Sequence, residues 1–191
     1  PELHFPSPAD LFICYIKISV ITGLLFASPI VFYQLWAFIA PGLYAKEKRL
    51  AVPFVLSSTV LFAGGAYFGW RFAFPMAFKY LLSFAGNVGG VEIKPTIMVT
   101  EYINFVTRLL LAFGGAFELP VVVFFLAIVG VVTHKQLLKF SRYFVVLAFF
   151  IAAIITPPDA VSQLMLALPL CALYFLSIFV AWLVQRNKPP K

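Results

Sequence analysis

The sequence predicts an all-α integral membrane protein: a bundle of kinked transmembrane helices in one domain spanning residues 1–191, with five spans forming a cupped wall. Three observations carry that expectation. Of the 191 residues 63% are hydrophobic and only 11% charged, against roughly 25% charge in a typical soluble domain. With 23 Phe and a mean hydropathy of +1.01, too little polar material remains to cover a globule in water. The apolar residues also fall into five runs separated by charged or Pro/Gly punctuation, as helices crossing about 30 Å of hydrocarbon require.

The first run extends from Ile13 to Phe38 and stops at Ala40-Pro41-Gly42, a structural turn. The second, Leu50 to Tyr80, carries Arg71 and Pro75 towards its far end, and the third, Tyr102 to Val129, carries Arg108 and Glu118. The fourth, Tyr143 to Ile155, is short for a full span and is closed by Thr156-Pro157-Pro158-Asp159, while the fifth runs from Ala160 to Val184. Between the second and third, Gly86, Asn87, Gly89, Gly90 and Pro95 argue against a long helix. Pro29, Pro53, Pro75, Pro120 and Pro169 lie in or beside spans, where each removes a helix hydrogen bond and favours a kink. Gly64-Gly65 and Gly114-Gly115 permit close helix approach, though lone pairs are weak signals.

Charge sets the expected orientation. Lys46, Lys48, Arg49, Lys135, Lys139, Arg142, Arg186, Lys188 and Lys191, nine of the fourteen basic residues, fall on one side, which the positive-inside rule makes cytoplasmic. Glu2, Asp10, Glu92, Glu101 and Asp159 fall on the other, so the chain starts outside and its C-terminus is cytoplasmic. Trp36, Tyr44, Tyr143 and Trp182 are expected in an aromatic belt at the inner boundary, with Tyr67, Trp70 and Tyr80 at the outer one. Pro1 to Leu11 is neither a signal peptide nor a span, and a further span upstream is expected. The basic residues are too dispersed among apolar runs to track a nucleic acid. Cys14 and Cys171 lie in apolar runs and suggest packing rather than a disulfide or zinc site, and no metal or cofactor is expected from them or from His4 and His134.

Three places carry chemistry. A carboxylate near the middle of a span costs roughly 2.5 to 3.5 kcal/mol to insert, so Glu118 should face protein or a water-filled concavity. Arg108 is about 15 Å away along an ideal helix, too far to pair with it. From the residues alone, Glu118 reads as a neutral carboxyl hydrogen-bonded to a neighbouring helix. Glu47 lies among Lys46, Lys48 and Arg49, where it is either a solvated counterion or a planar acceptor for a guanidinium. Pro157 and Pro158 force a tight turn, after which Asp159 can cap the last helix and suit its positive dipole end.

Read in order, the punctuation resembles a known family. Ser7-Pro8, the stretch Ser28-Pro29-Ile30-Val31-Phe32-Tyr33-Gln34-Leu35-Trp36-Ala37-Phe38-Ile39-Ala40-Pro41-Gly42-Leu43-Tyr44 with the basic run through Arg49, Phe117-Glu118-Leu119-Pro120, Thr156-Pro157-Pro158-Asp159 and Ser162-Gln163 together look like TatC, the multi-spanning receptor subunit of the twin-arginine protein translocase. The family has six spans with both ends cytoplasmic; five are found here.

The resemblance implies a non-enzymatic core receptor, oligomeric and in the cytoplasmic (inner) membrane, that binds twin-arginine signal peptides of folded cargo. It also implies recruitment of the single-span subunits TatA and TatB and export driven by the proton-motive force. By position, Glu47 with Phe38, Leu43 and Arg49 would form the signal-peptide site, Glu118 an intramembrane polar site, and Thr156, Asp159 and Gln163 the docking patch for a partner subunit. A proton-coupled transporter of small molecules or ions using Glu118 is the alternative, and it predicts paired repeats that the sequence lacks. ATP hydrolysis and intramembrane proteolysis are disfavoured: there is no G-x-x-x-x-G-K loop, both Asp residues lie outside the spans, and both His residues are in predicted loops.

Overall fold

In the computed structural model, residues 3–4, 7–39, 51–88, 91–93, 96–156 and 159–186 are described. Their order is β1 (Leu3–His4), α1 (Pro8–Ile39), α2 (Ala51–Phe68), a π-helical turn (Gly69–Ala73), α3 (Phe74–Leu82), β2 (Gly86–Val88), β3 (Val91–Ile93), β4 (Ile97–Met98), α4 (Val99–Phe117), α5 (Leu119–Val129), α6 (His134–Ile155) and α7 (Ala160–Arg186). Among the described residues five helical segments are long and apolar enough to cross a membrane: Pro8–Phe38, Val52–Leu82, Val99–Val129, His134–Ile155 and Ala160–Arg186. Lipid explains the unusual surface, since Phe12, Phe26, Phe72 and Phe150 are all exposed on helix faces.

Two of the five segments are not single α-helices. The third is interrupted at Glu118, whose N–H turns back to Gly115 O at 3.2 Å while its carbonyl accepts from Val122 N at 2.9 Å. Pro120 is the cause: its missing N–H cannot serve the Ala116 carbonyl and its ring crowds that turn, so the chain restarts with proline in the first turn of α5. The second passes through the π turn just before Pro75.

The main core joins α3, α4, α6 and α7, with Phe74, Leu109, Phe113, Leu166, Leu170 and Tyr174 buried together. Phe144 and Tyr174 stack at 4.0 Å between ring centroids, and Tyr174 Oη donates to Leu137 O at 2.9 Å. A second cluster of Trp36, Phe54, Val121 and Phe125 ties α1 and α2 to α5. One glycine of each sequence pair serves close approach. A Cβ at Gly65 would lie 2.5 Å from Phe113 O and one at Gly114 would lie 2.8 Å from the Phe62 ring, whereas Gly64 and Gly115 face open space.

Three expectations change. The fourth apolar run was expected to be short for a span, but its helix starts at His134 and has 22 residues, because Thr133 and Gln136 form a reciprocal capping box ahead of the apolar stretch. His134 is thereby the first residue of a helix rather than part of a loop. Trp36, expected at the boundary belt, is only 6% exposed and stacks on Phe54 at 4.8 Å. Tyr67, Trp70 and Tyr143 are exposed, as belt residues should be.

Candidate functional site

The polar groups gather at two levels of the bundle. At the α4–α5 junction Glu118 is half-buried, and the Ser58 hydroxyl of α2 lies near its carboxyl. Ser58 is fully buried and accepts from Trp36 Nε1 at 3.2 Å. Since that bond uses a lone pair of the hydroxyl, its single proton stays available to Glu118. The row Trp36, Ser58, Glu118 thus connects α1, α2 and the α4–α5 break. Glu118 Oε1 is nevertheless buried with no partner among the described residues. A carboxyl oxygen in that state either carries its own proton or takes a donor from another molecule, because an unmet buried acceptor is costly. Arg108 forms no ion pair with it among the described residues, in keeping with their separation on α4.

At the α6–α7 junction the three sequence-identified residues all make internal bonds. Asp159 Oδ2 accepts from Ser162 N at 2.8 Å, the N-cap geometry expected of it. Thr156 Oγ1 donates to Ala152 O at 2.8 Å and Gln163 Nε2 to Phe149 O at 2.9 Å, so both reach carbonyls on neighbouring turns of α6. Thr156 is buried, Gln163 half-buried. Asp159 Oδ1 and Ser162 Oγ are buried and unpartnered among the described residues. The patch therefore offers the unbonded side of Gln163 outward more than it offers Thr156.

Phe38 stands one residue before the end of α1 and is 86% exposed, outside the buried clusters of the described residues. Pro41, Gly42, Leu43, Glu47 and Arg49 lie outside the described residues, as do Pro157 and Pro158. Ser58 and Trp36 were missed as companions of Glu118 because a lone serine in an apolar run has no distinctive pattern. Lys17 was missed although a lysine inside a span is a signal on its own. It reaches Asn104 Oδ1 of α4 at 2.7 Å.

Comparison with known proteins follows the same outline. The family model described as TatC, Sec-independent protein translocase protein, matches residues 1–169. The Sec-independent protein translocase protein TatC of Helicobacter pylori is 45% identical over 97% of this chain and 72% of its own length. That of Aquifex aeolicus is 43% identical over 98% of this chain and 77% of its own length. A crystal structure of the twin arginine translocase receptor TatC superposes with a TM-score of 0.84 at 42% identity, covering 97% of this chain and 80% of that one.

Proposed function

The chain belongs to the TatC family, non-enzymatic membrane components of the Sec-independent protein translocase, and from that premise we propose that it is the receptor for twin-arginine signal peptides of folded cargo. The observation that carries the proposal is the match along 97% of the chain to a twin-arginine translocase receptor, in a sequence that places Glu47 between Pro41-Gly42 and Arg49. In this reading Glu47 accepts the arginine pair bidentately, Arg49 holds the carboxylate in place, and Phe38 and Leu43 supply apolar surface beside it. The exposed ring of Phe38 at the end of α1 supports that assignment.

The single-span subunits TatA and TatB dock against the α6–α7 junction, where Gln163 retains hydrogen-bonding capacity and Thr156 and Asp159 shape the turn. Glu118 offers its unpartnered oxygen to a helix moving past the α4–α5 break. The receptor sits in the inner membrane with the chain start outside and the C-terminus cytoplasmic, an orientation supported by the nine basic residues on one side. The proton-motive force drives export. A small-molecule transporter reading of Glu118 is not supported.

The test is a peptide-binding double-mutant cycle in membranes. Glu47→Ala is expected to weaken a twin-arginine peptide by about 1 to 3 kcal/mol, the scale of a charge-assisted hydrogen bond. A twin-lysine peptide should start weaker and lose less. If Glu47 only balances Lys46, Lys48 and Arg49, both peptides weaken alike, and more so at low salt. A coupling energy near zero between Glu47 and the arginine pair removes direct recognition.

A further inference from the structure

At the boundary where α3 ends, α4 begins and α6 ends, a cavity of about 440 Å³ is lined by Glu101, Asn104, Phe105, Arg108, Ile154 and Thr156, among others. We propose that this cavity binds one zwitterionic amino-phospholipid, such as phosphatidylethanolamine, with its phosphate on Arg108 and its ammonium on Glu101.

The order of groups along α4 matches the order of groups in such a lipid. Glu101 and Arg108 are about two turns apart and so share one face of the helix. Arg108 lies roughly 14 Å along the helix from Val99, at a depth where an unpaired guanidinium is costly. Its side chain leans towards the helix N-terminus, and snorkelling draws it the same way, towards Glu101 and the boundary.

Neither residue makes an ion pair or hydrogen bond among the described residues, and both are exposed at the cavity. Between them stands Asn104, whose Oδ1 is taken by Lys17 Nζ at 2.7 Å, leaving its amide hydrogens free to donate. Along α4 from the bilayer interior outward the polar lining is cationic at Arg108, then a donor at Asn104, then anionic at Glu101, while Phe105 and Ile154 supply apolar wall beside them. A phosphodiester and an ammonium follow in the order of the polar groups, and the apolar wall suits the acyl chains. Arg108 can grip the phosphodiester on two parallel hydrogen bonds. A lipid with a glycerol head group would meet the phosphate contacts and leave Glu101 without a cation.

The experiment titrates delipidated full-length chain in detergent with phosphatidylethanolamine, phosphatidylglycerol and inorganic phosphate, counting bound ligand by native mass spectrometry. Wild type should retain phosphatidylethanolamine about tenfold more strongly than phosphatidylglycerol. Arg108→Gln should weaken both lipids about tenfold, with Arg108→Lys between it and wild type, because an ammonium keeps the charge but loses the paired geometry. Glu101→Gln, at the boundary where folding is least at stake, should abolish the preference and leave phosphatidylglycerol unchanged. Thermal unfolding of each variant separates loss of the site from loss of the fold: a ligand-specific change at unchanged melting temperature supports the proposal. Equal retention of the two lipids by wild type, or unaltered retention by folded Arg108 variants, overturns it. Complete displacement of lipid by an equal concentration of inorganic phosphate also overturns it, since the ligand would then be a soluble anion.

Discussion

Glu118 and the α6–α7 junction are both polar interruptions of an otherwise apolar bundle, yet they differ in where their hydrogen bonds go. At the junction, Thr156 and Gln163 donate to carbonyls of α6 and Asp159 accepts from the first turn of α7. Those groups spend much of their capacity on shaping a turn. Glu118 has one hydroxyl nearby, already oriented by Trp36, and one buried oxygen with nothing to bond among the described residues. The junction also keeps two buried oxygens unpartnered among the described residues, Asp159 Oδ1 and Ser162 Oγ, so both regions retain capacity for an incoming group and differ in how much of the rest is spent on internal bonds.

The sharpest way to break this comparison is at Glu118. Glu118→Gln keeps the shape and the acceptor facing Ser58, so the variant should insert and melt close to wild type. Glu118→Lys puts a cation where Ser58 and Trp36 have been arranged for an acceptor, and should cost about 2.5 to 3.5 kcal/mol. Membrane-extracted yield and thermal stability read both. Equal behaviour of the two variants would make position 118 a wet and permissive site, and the contrast with the junction would disappear.

The next effect is at the junction. Asp159→Ala removes the cap on Ser162 N and should lower stability by about 1 kcal/mol, whereas Asp159→Asn retains the acceptor and should lose only a fraction of that. Thermal unfolding in detergent measures the difference. If Asn is as damaging as Ala, the charge at the helix dipole rather than the hydrogen bond is what matters there.

The smallest effect, on stability at least, concerns docking. Gln163→Cys should cross-link readily to a single-span partner, and Thr156→Cys more slowly, because Thr156 is only 5% exposed. Cross-links obtained solely from positions in the basic loops would remove the junction as a docking surface.

Much of the bundle was legible because lipid selects for one simple property, a long apolar run, and charged or Pro/Gly punctuation separates such runs. Asp159 was legible for a local reason: a cap depends on its own first turn. The break at Glu118 was harder to read, since Pro120 in an apolar run is compatible with a kink or with a new helix, and packing decides between them. The first turns of α6 are polar and carry no hydropathy signal, and only the spacing of Thr133 and Gln136, that of a capping box, marks where the helix starts. Trp36 was misplaced because an indole near a span end fits a boundary belt as well as a core, and only the neighbours Phe54, Phe125 and Ser58 distinguish the two. Pairings such as Lys17 with Asn104 depend on which helices become neighbours, which no local pattern specifies.

The π turn at Gly69–Ala73 has a consequence for how this chain tolerates changes in length. A π turn accommodates one residue more than the surrounding α-helical ladder needs, while the helix on each side keeps its own facing. Deleting a single residue there would convert the turn to ordinary α-helix and leave Phe74 and Ala77, both buried, still pointed at the core. The same deletion a few turns earlier in α2 would rotate everything beyond it by about 100° and carry those side chains towards lipid. The second span thus holds a spare residue at one defined place, and a deletion accepted there would be rejected elsewhere along the same helix.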